Sequence, residues 1–253
     1  MSSEKAAPSL TAPVEDYLKA IFEIEAADTT GQQESPVAAG TNEIAQALGI
    51  APASVTGMLR RLADQGLIVY ERYRGVRLSD EGRRAALRTI RRHRVIEAYL
   101  TKALGYPWDR VHEEAERLEH AASDELIDRM ASAIGEPTTD PHGAPIPSRD
   151  GTMDARPLLA LVDVAVGNVV RIRQVGDRDP ERLRYLAELG VTPGADVRVL
   201  AREPFGGPIT LQIVREGSEA SRTMARTRED RERAIGPMLA AQVFVETRRK
   251  REA

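Results

Sequence analysis

Residues 41–79 read TNEIAQALGIAPASVTGMLRRLADQGLIVYERYRGVRLS, and this stretch decides the fold. Thr41 or Asn42 can cap a short helix, NEIAQAL, which Gly49 stops. Pro52 suits the first turn of a second helix, ASVTGMLRRLADQ, which Gly66 stops. Two helices joined by so tight a turn predict a helix-turn-helix. LIVYERY is rich in β-formers, Arg74-Gly75 can make a tight turn, and VRLS returns, so a two-stranded hairpin follows. Helix-turn-helix plus hairpin is a winged helix. The second helix of such a unit enters the major groove of DNA with its N-terminal residues at the base edges. Here these are Ala51, Pro52, Ala53, Ser54, Thr56 and Gly57. None is an Arg, Gln or Asn able to read a base bidentately, so thymine-methyl contacts and DNA shape are expected to supply much of the specificity. Arg60, Arg61, Arg72, Arg74 and Arg77 are the phosphate candidates. The formal net charge is −3, yet residues 51–94 carry eleven arginines against four acids, a local imbalance that predicts an anionic partner such as double-stranded DNA.

N-terminal to this unit, residues 1–12 read as a disordered tail. VEDYLKAIFEIEAA follows with a helical apolar stripe, then the polar loop TTGQQESPVAAG. On the C-terminal side, Ser79 or Asp80 caps a long helix to about Leu104, and Pro107 opens another to about Ile134. Residues 135–157 hold five prolines and three glycines and read as a linker. Short β-rich runs then alternate with turns around one helix, PERLRYLAELG, predicting a small SH3-like β-barrel closed by AAQVFVE. The charged segment 216–236 reads as a surface excursion. The expected division is therefore a tail (1–12), a winged helix-turn-helix (13–79), a helical domain (80–135), a linker (136–157) and an SH3-like domain (158–247). The fold class is mainly α with β.

The chain has four histidines, three of them within RRHRVIEAYLTKALGYPWDRVHEEAERLEH, residues 91–120. His93 precedes Glu97 by four residues, and His112 precedes Glu116 by four, with Glu119 and His120 close behind. A helix repeats about every 3.6 residues, so His112, Glu116, Glu119 and His120 are expected on one face. Clustered imidazoles and carboxylates suit a divalent metal. Cysteine is absent, which excludes disulfides, iron–sulfur clusters and thiolate sites. No apolar run is long enough to span a bilayer and the N-terminus MSSEKAAPSL is no signal peptide, so a cytoplasmic protein without a membrane partner is expected. Glu-x-x-His pairs of di-metal carboxylate enzymes, Gly-rich phosphate loops and nucleophile–base motifs are missing, so no enzyme is expected. A winged-helix regulator answering to an organic ligand, and a metal-sensing activator of efflux genes, are the alternatives.

Together, the helix-turn-helix, the hairpin, the pattern HRxxE…HxEAxxxEHxxSDE and DPHGAPIP resemble the metal-dependent repressors typified by the diphtheria toxin repressor, most of all the sub-group of manganese transport regulators. The resemblance covers about residues 13–245. It implies a homodimer with a helical dimerisation and metal-binding domain, a palindromic operator, and Mn²⁺ or Fe²⁺ as corepressor for metal-uptake genes. Carried over by motif, the primary metal site is Asp16, Glu116, Glu119 and His120. Asp16 and Glu116 stand where the iron-type regulators have methionine and cysteine, and the exchange of soft sulfur for hard carboxylate favours manganese. Lys19 stands where some manganese-type members carry a further Glu. The resemblance draws a second site from His93, Glu97, His112, Asp140, His142 and Asp179, with Arg182 in place of an iron-type glutamine.

Overall fold

The computed structural model describes residues 10–28, 38–71, 75–153, 156–214 and 232–247. Helix α1 (Ala12–Asp28) buries Val14, Tyr17, Leu18, Ile21 and Phe22, an i, i+3, i+4, i+7, i+8 stripe. Helices α2 (Thr41–Leu48) and α3 (Pro52–Asp64) follow. The cap of α2 is Gly40, not Thr41 or Asn42. Glu43 reaches back to accept from the Gly40 amide at 2.7 Å, which ties off the helix start one residue earlier than a side-chain cap would. Pro52 does open α3. Strands β1 (Ile68–Glu71) and β2 (Gly75–Leu78) pair antiparallel, and Ala39 bridges Val76 from the other side of β2, completing the wing. Arg72 and Arg74 lie outside the described residues.

Helix α4 (Asp80–Leu104) starts where the Ser79 hydroxyl accepts from the Gly82 amide at 3.0 Å. The helix expected from Pro107 to Ile134 is instead two. Residues 107–110 turn, α5 spans Val111–Leu118, and α6 spans Asp124–Ala133. The amides of Ala121 and Ala122 both bond the Leu118 carbonyl, so the chain leaves α-helical register there.

The first part of the segment expected as a linker, residues 135–146, is packed. Asp140 and His142 within it are buried, and its backbone closes on itself through Asp140 N to Ala144 O and Ile146 N to Thr138 O. Beyond it, strands β3 (Leu159–Ala160), β4 (Val169–Val175), β5 (Asp196–Arg202), β6 (Ile209–Val214), β7 (Glu232–Ile235) and β8 (Val243–Thr247) form one antiparallel sheet in the order β3-β8-β4-β5-β6-β7. Bulges at Ile172/Gln174 and Val199/Ala201 let it curl around a core of Val170, Ile172, Val197, Val199, Leu211 and Val245. Helix α7 (Pro180–Leu189) and the short α8 (Pro237–Ala240) complete this SH3-like domain. The end of the supposed surface excursion is therefore strand β7. Its β-forming residues are few, and only pairing with β6 makes it a strand.

By internal contacts the chain divides into two units. The first holds residues 1–93, 117–124 and 147–154; the second holds 94–116, 125–146 and 155–253. Among the described residues no helix is long and apolar enough to cross a membrane.

Candidate metal centres and nucleic-acid interface

In the first unit, helix α1 brings Asp16 to the turn that follows α5. Asp16 Oδ1 lies 2.8 Å from His120 Nε2, and Glu119 Oε1 lies 3.5 Å from the same nitrogen. One donor atom from each of Asp16, Glu119 and His120 falls within 4.8 Å of the others. The end of α5 at Leu118 explains the grouping. Glu119 and His120 lie in the turn just past the end of α5, whereas His112 and Glu116 are on the helix itself. Glu116 is in the second unit, where His112 Nε2 lies 3.9 Å from it.

Three residues that sequence reasoning did not assign to the metal, Glu15, Arg92 and Lys19, surround these donors. Glu15 Oε2 lies 2.6 Å from His120 Nδ1, and Arg92 holds the other Glu15 oxygen at 3.2 Å. With Nδ1 donating to Glu15, Nε2 faces Asp16 and Glu119 and could serve as a ligand nitrogen, the kind of hydrogen bond that orients metal-binding histidines. Burial opposes a charged imidazole at His120, but Glu15, Asp16 and Glu119 outweigh it and raise its pKa above the ordinary value. Lys19 places its ammonium against both oxygens of buried Glu119, at 3.1 and 2.9 Å. His93, expected at the second site, turns Nδ1 to Glu119 Oε2 at 2.5 Å.

In the second unit, Glu97, Asp140 and His142 are buried together and can each point one donor atom at a common point. His142 Nε2 donates to the Trp108 carbonyl at 2.8 Å, which leaves Nδ1 facing Glu97 Oε2 at 3.7 Å. Asp140 Oδ1 accepts from the amides of His142 and Ala144, and Oδ2 faces Arg94 at 3.6 Å without a hydrogen bond. His142 Nδ1 likewise has no hydrogen bond. A buried imidazole nitrogen and a buried carboxylate oxygen in this condition fit a metal ion as their partner. His112 Nδ1 stands 3.4 Å from Glu97 Oε1 at the edge of the group. Desolvation, then the neighbouring Glu97 charge, pushes the Asp140 carboxyl up to about 7. Burial opposes charge on His142, but Glu97, Asp140 and Asp177 raise it to about 9. Asp179 takes another role. It caps α7, accepting from the Glu181 and Arg182 amides at 3.0 and 3.3 Å, and pairs with Arg182 at 2.9 Å. The backbone pins this centre to the sheet. The Val175 amide bonds the His142 carbonyl at 2.9 Å, and a Cβ at Gly143 (φ +89°) would lie 1.8 Å from the Arg173 carbonyl oxygen.

The DNA-facing prediction meets an exposed helix face. Val55, Leu59 and Leu62 bury the inner side of α3, whereas Ala51, Pro52, Ala53, Ser54, Gly57, Arg60 and Arg61 are exposed and Thr56 is half-buried. Arg77 is exposed on β2. Gly57 sits inside the helix, where glycine weakens it, yet an added Cβ would meet nothing within 4 Å. The fold itself does not require that glycine.

A winged helix-turn-helix, a helical segment with clustered metal-type donors and an SH3-like sheet define the architecture of a metal-responsive DNA-binding regulator. Residues 9–76 match the iron dependent repressor N-terminal DNA binding domain, 79–148 the iron dependent repressor metal binding and dimerisation domain, and 159–247 the FeoA domain. The chain is 31% identical over 212 residues to the iron-dependent repressor IdeR of Mycobacterium tuberculosis (strain ATCC 25618 / H37Rv), covering 79% of this chain and 87% of that one. It is 36% identical over 96 residues to the HTH-type transcriptional regulator MntR of Lysinibacillus sphaericus (strain C3-41), covering 38% of this chain and 68% of that one. A solved manganese-dependent transcriptional repressor, in complex with manganese, superposes with a TM-score of 0.79 at 36% identity, covering 93% of this chain and all of the other. The chain belongs to the family of metal-dependent transcriptional repressors that includes the diphtheria toxin repressor and MntR, homodimeric DNA-binding regulators rather than enzymes.

Proposed function

We propose that this repressor answers to Mn²⁺ first and Fe²⁺ second, and that it shuts off metal-uptake genes from a palindromic operator in the cytoplasm. The observation that carries the choice of metal is the donor set of Asp16, Glu119 and His120: two carboxylates and one imidazole, in a chain without cysteine. Hard oxygen donors suit Mn²⁺, and the absence of sulfur removes the preference for softer ions. The similarity to a repressor solved with manganese agrees.

In this reading Asp16, Glu119 and His120 are side-chain ligands of the switching site, and Glu116 is added as a fourth on the motif alone. The divalent ion supplies positive charge that offsets the converging carboxylates. Asp16 then fixes α1 against the turn bearing Glu119 and His120, Glu15 sets the ring of His120, and the order gained is passed through α1 to the winged helix. Glu97, Asp140 and His142, with His112 beside them, form a second site that holds the 136–157 segment. Residues 13–79 read DNA through Ala51, Pro52, Ala53, Ser54, Thr56 and Gly57, with Arg60, Arg61, Arg72, Arg74 and Arg77 on phosphates. Residues 80–135 dimerise and 158–247 form the SH3-like domain.

The test is operator binding by fluorescence anisotropy against free Mn²⁺ and, anaerobically, free Fe²⁺. Activation by Mn²⁺ at lower or equal free concentration, abolished by chelator, supports the reading. Activation by Fe²⁺ alone would reverse the metal assignment, and binding indifferent to chelator would remove it.

A further inference from the structure

A buried ammonium group stands inside the proposed switching site. Lys19 Nζ donates to both oxygens of Glu119 and lies 3.1 Å from His93 Nδ1. The Lys19 side chain is 11% exposed and that of Glu119 is fully buried. Lys19 follows Asp16 by three residues on α1, so the two share a helix face. A long, flexible, strongly hydrated side chain is costly to bury and stays only where a carboxylate compensates it. Its bidentate grip also fixes the rotamer of Glu119, whose Oε1 faces the ligand nitrogen of His120.

Formal charges show what this does. Glu15, Asp16 and Glu119, with Glu116 added as the motif has it, are met by two fixed cations, Lys19 and Arg92. One divalent ion cancels the resulting two negative charges. A second divalent ion would leave two unbalanced positive charges and would have to share Glu119, both of whose oxygens already accept from Lys19. We infer that Lys19 is a built-in cation that limits this site to one divalent ion and weakens that ion's hold on Glu119. This inference rests on the metal-site reading above. Lys19 acts on the ion through Glu119 and is a positioning and selectivity residue, not a ligand.

The experiment is a Mn²⁺ titration of the full-length protein, read by electron paramagnetic resonance of free and bound ion, for the wild type, Lys19→Arg, Lys19→Met, Lys19→Glu and Asp16→Ala. Wild type and Lys19→Arg are expected to bind the same number of ions, with no exchange-coupled signal. Lys19→Glu is expected to gain one ion per chain and to show the coupled signal of a manganese pair. Lys19→Met, which removes the competing charge without adding a ligand, is expected to bind its ion at the Asp16 site at least about tenfold more tightly. A coupled pair in the wild type overturns the inference, as does a folded Lys19→Glu that keeps the wild-type count. If Lys19→Glu fails to fold, unchanged affinity in Lys19→Met overturns it equally. Asp16→Ala separates the two ideas: an ion count undiminished by that substitution rejects the site itself, whatever the lysine variants do.

Discussion

At His120 the two ring nitrogens have different tasks, and Glu15 assigns them. Its carboxylate accepts a hydrogen bond from Nδ1 at 2.6 Å, with Nε2 turned toward Asp16 and Glu119. Glu15→Gln keeps the shape but loses the charge, and should weaken Mn²⁺ binding at this site by about 10–100-fold, the usual effect of losing a group that orients a ligand. Calorimetric titration checks this, and an unchanged affinity removes Glu15 from the centre. At His142 a proton stands where the second ion would bind. Its pKa rises from an ordinary 6.5 to about 9 in the fold, so the imidazolium adds stability that is complete below about 6.5 and vanishes as the pH passes about 9. An ion taking Nδ1 must expel that proton. Mn²⁺ affinity at this site should therefore climb with rising pH until about pH 9 and level off above it, with close to one proton released per ion well below that pH, measured by calorimetry in buffers of different ionisation enthalpy. A pH-independent affinity contradicts the assignment. Asp16, Glu119 and His120 were legible because the motif names them. Glu15 and the contacts of Lys19 were not, because no spacing in sequence links residues 15 and 19 to 119 and 120.

Among the elements, α3 was readable almost residue by residue, since Pro52, the buried Val55-Leu59-Leu62 stripe and the exposed arginines each follow from local pattern. The break after Leu118 was not readable, because Glu119 and His120 continue a plausible helix face and only the turn bonds at Ala121 and Ala122 end it. The same failure hid β7, whose strand character comes from β6. Gly57 tests the role of α3. Alanine there has open space and better helix propensity, so Gly57→Ala should raise stability by about 0.5–1 kcal/mol in thermal or urea unfolding. If the bare backbone is there to let DNA approach, the same substitution lowers operator affinity. Higher stability with unchanged operator affinity would show that the glycine serves neither fold nor DNA. Gly143 has the opposite setting: its missing Cβ makes room for the Arg173 carbonyl, and Gly143→Ala should loosen the Asp140–His142 segment and lower the melting temperature.

For the molecule as a switch, the metal centre and the wing must share a rigid part, and within the first unit α1 is that part. Asp16 lies near its start, and near its end buried Glu25 accepts from the Leu78 amide of β2 at 2.9 Å and from Arg83 at 2.5 Å. Glu25→Ala leaves a buried amide and an arginine without that carboxylate, a loss of about 1–3 kcal/mol. It should keep Mn²⁺ affinity near wild type while reducing the Mn²⁺-stimulated gain in operator affinity. Coupling between two ligands is reciprocal, so operator DNA should tighten Mn²⁺ binding by the same factor by which Mn²⁺ tightens DNA binding. The most direct measurement of the central claim is operator affinity with and without saturating Mn²⁺ for wild type, Asp16→Ala and His120→Ala, each first shown to be a folded dimer. The account predicts a large Mn²⁺-dependent gain in the wild type and almost none in either variant; a full gain in both would contradict it.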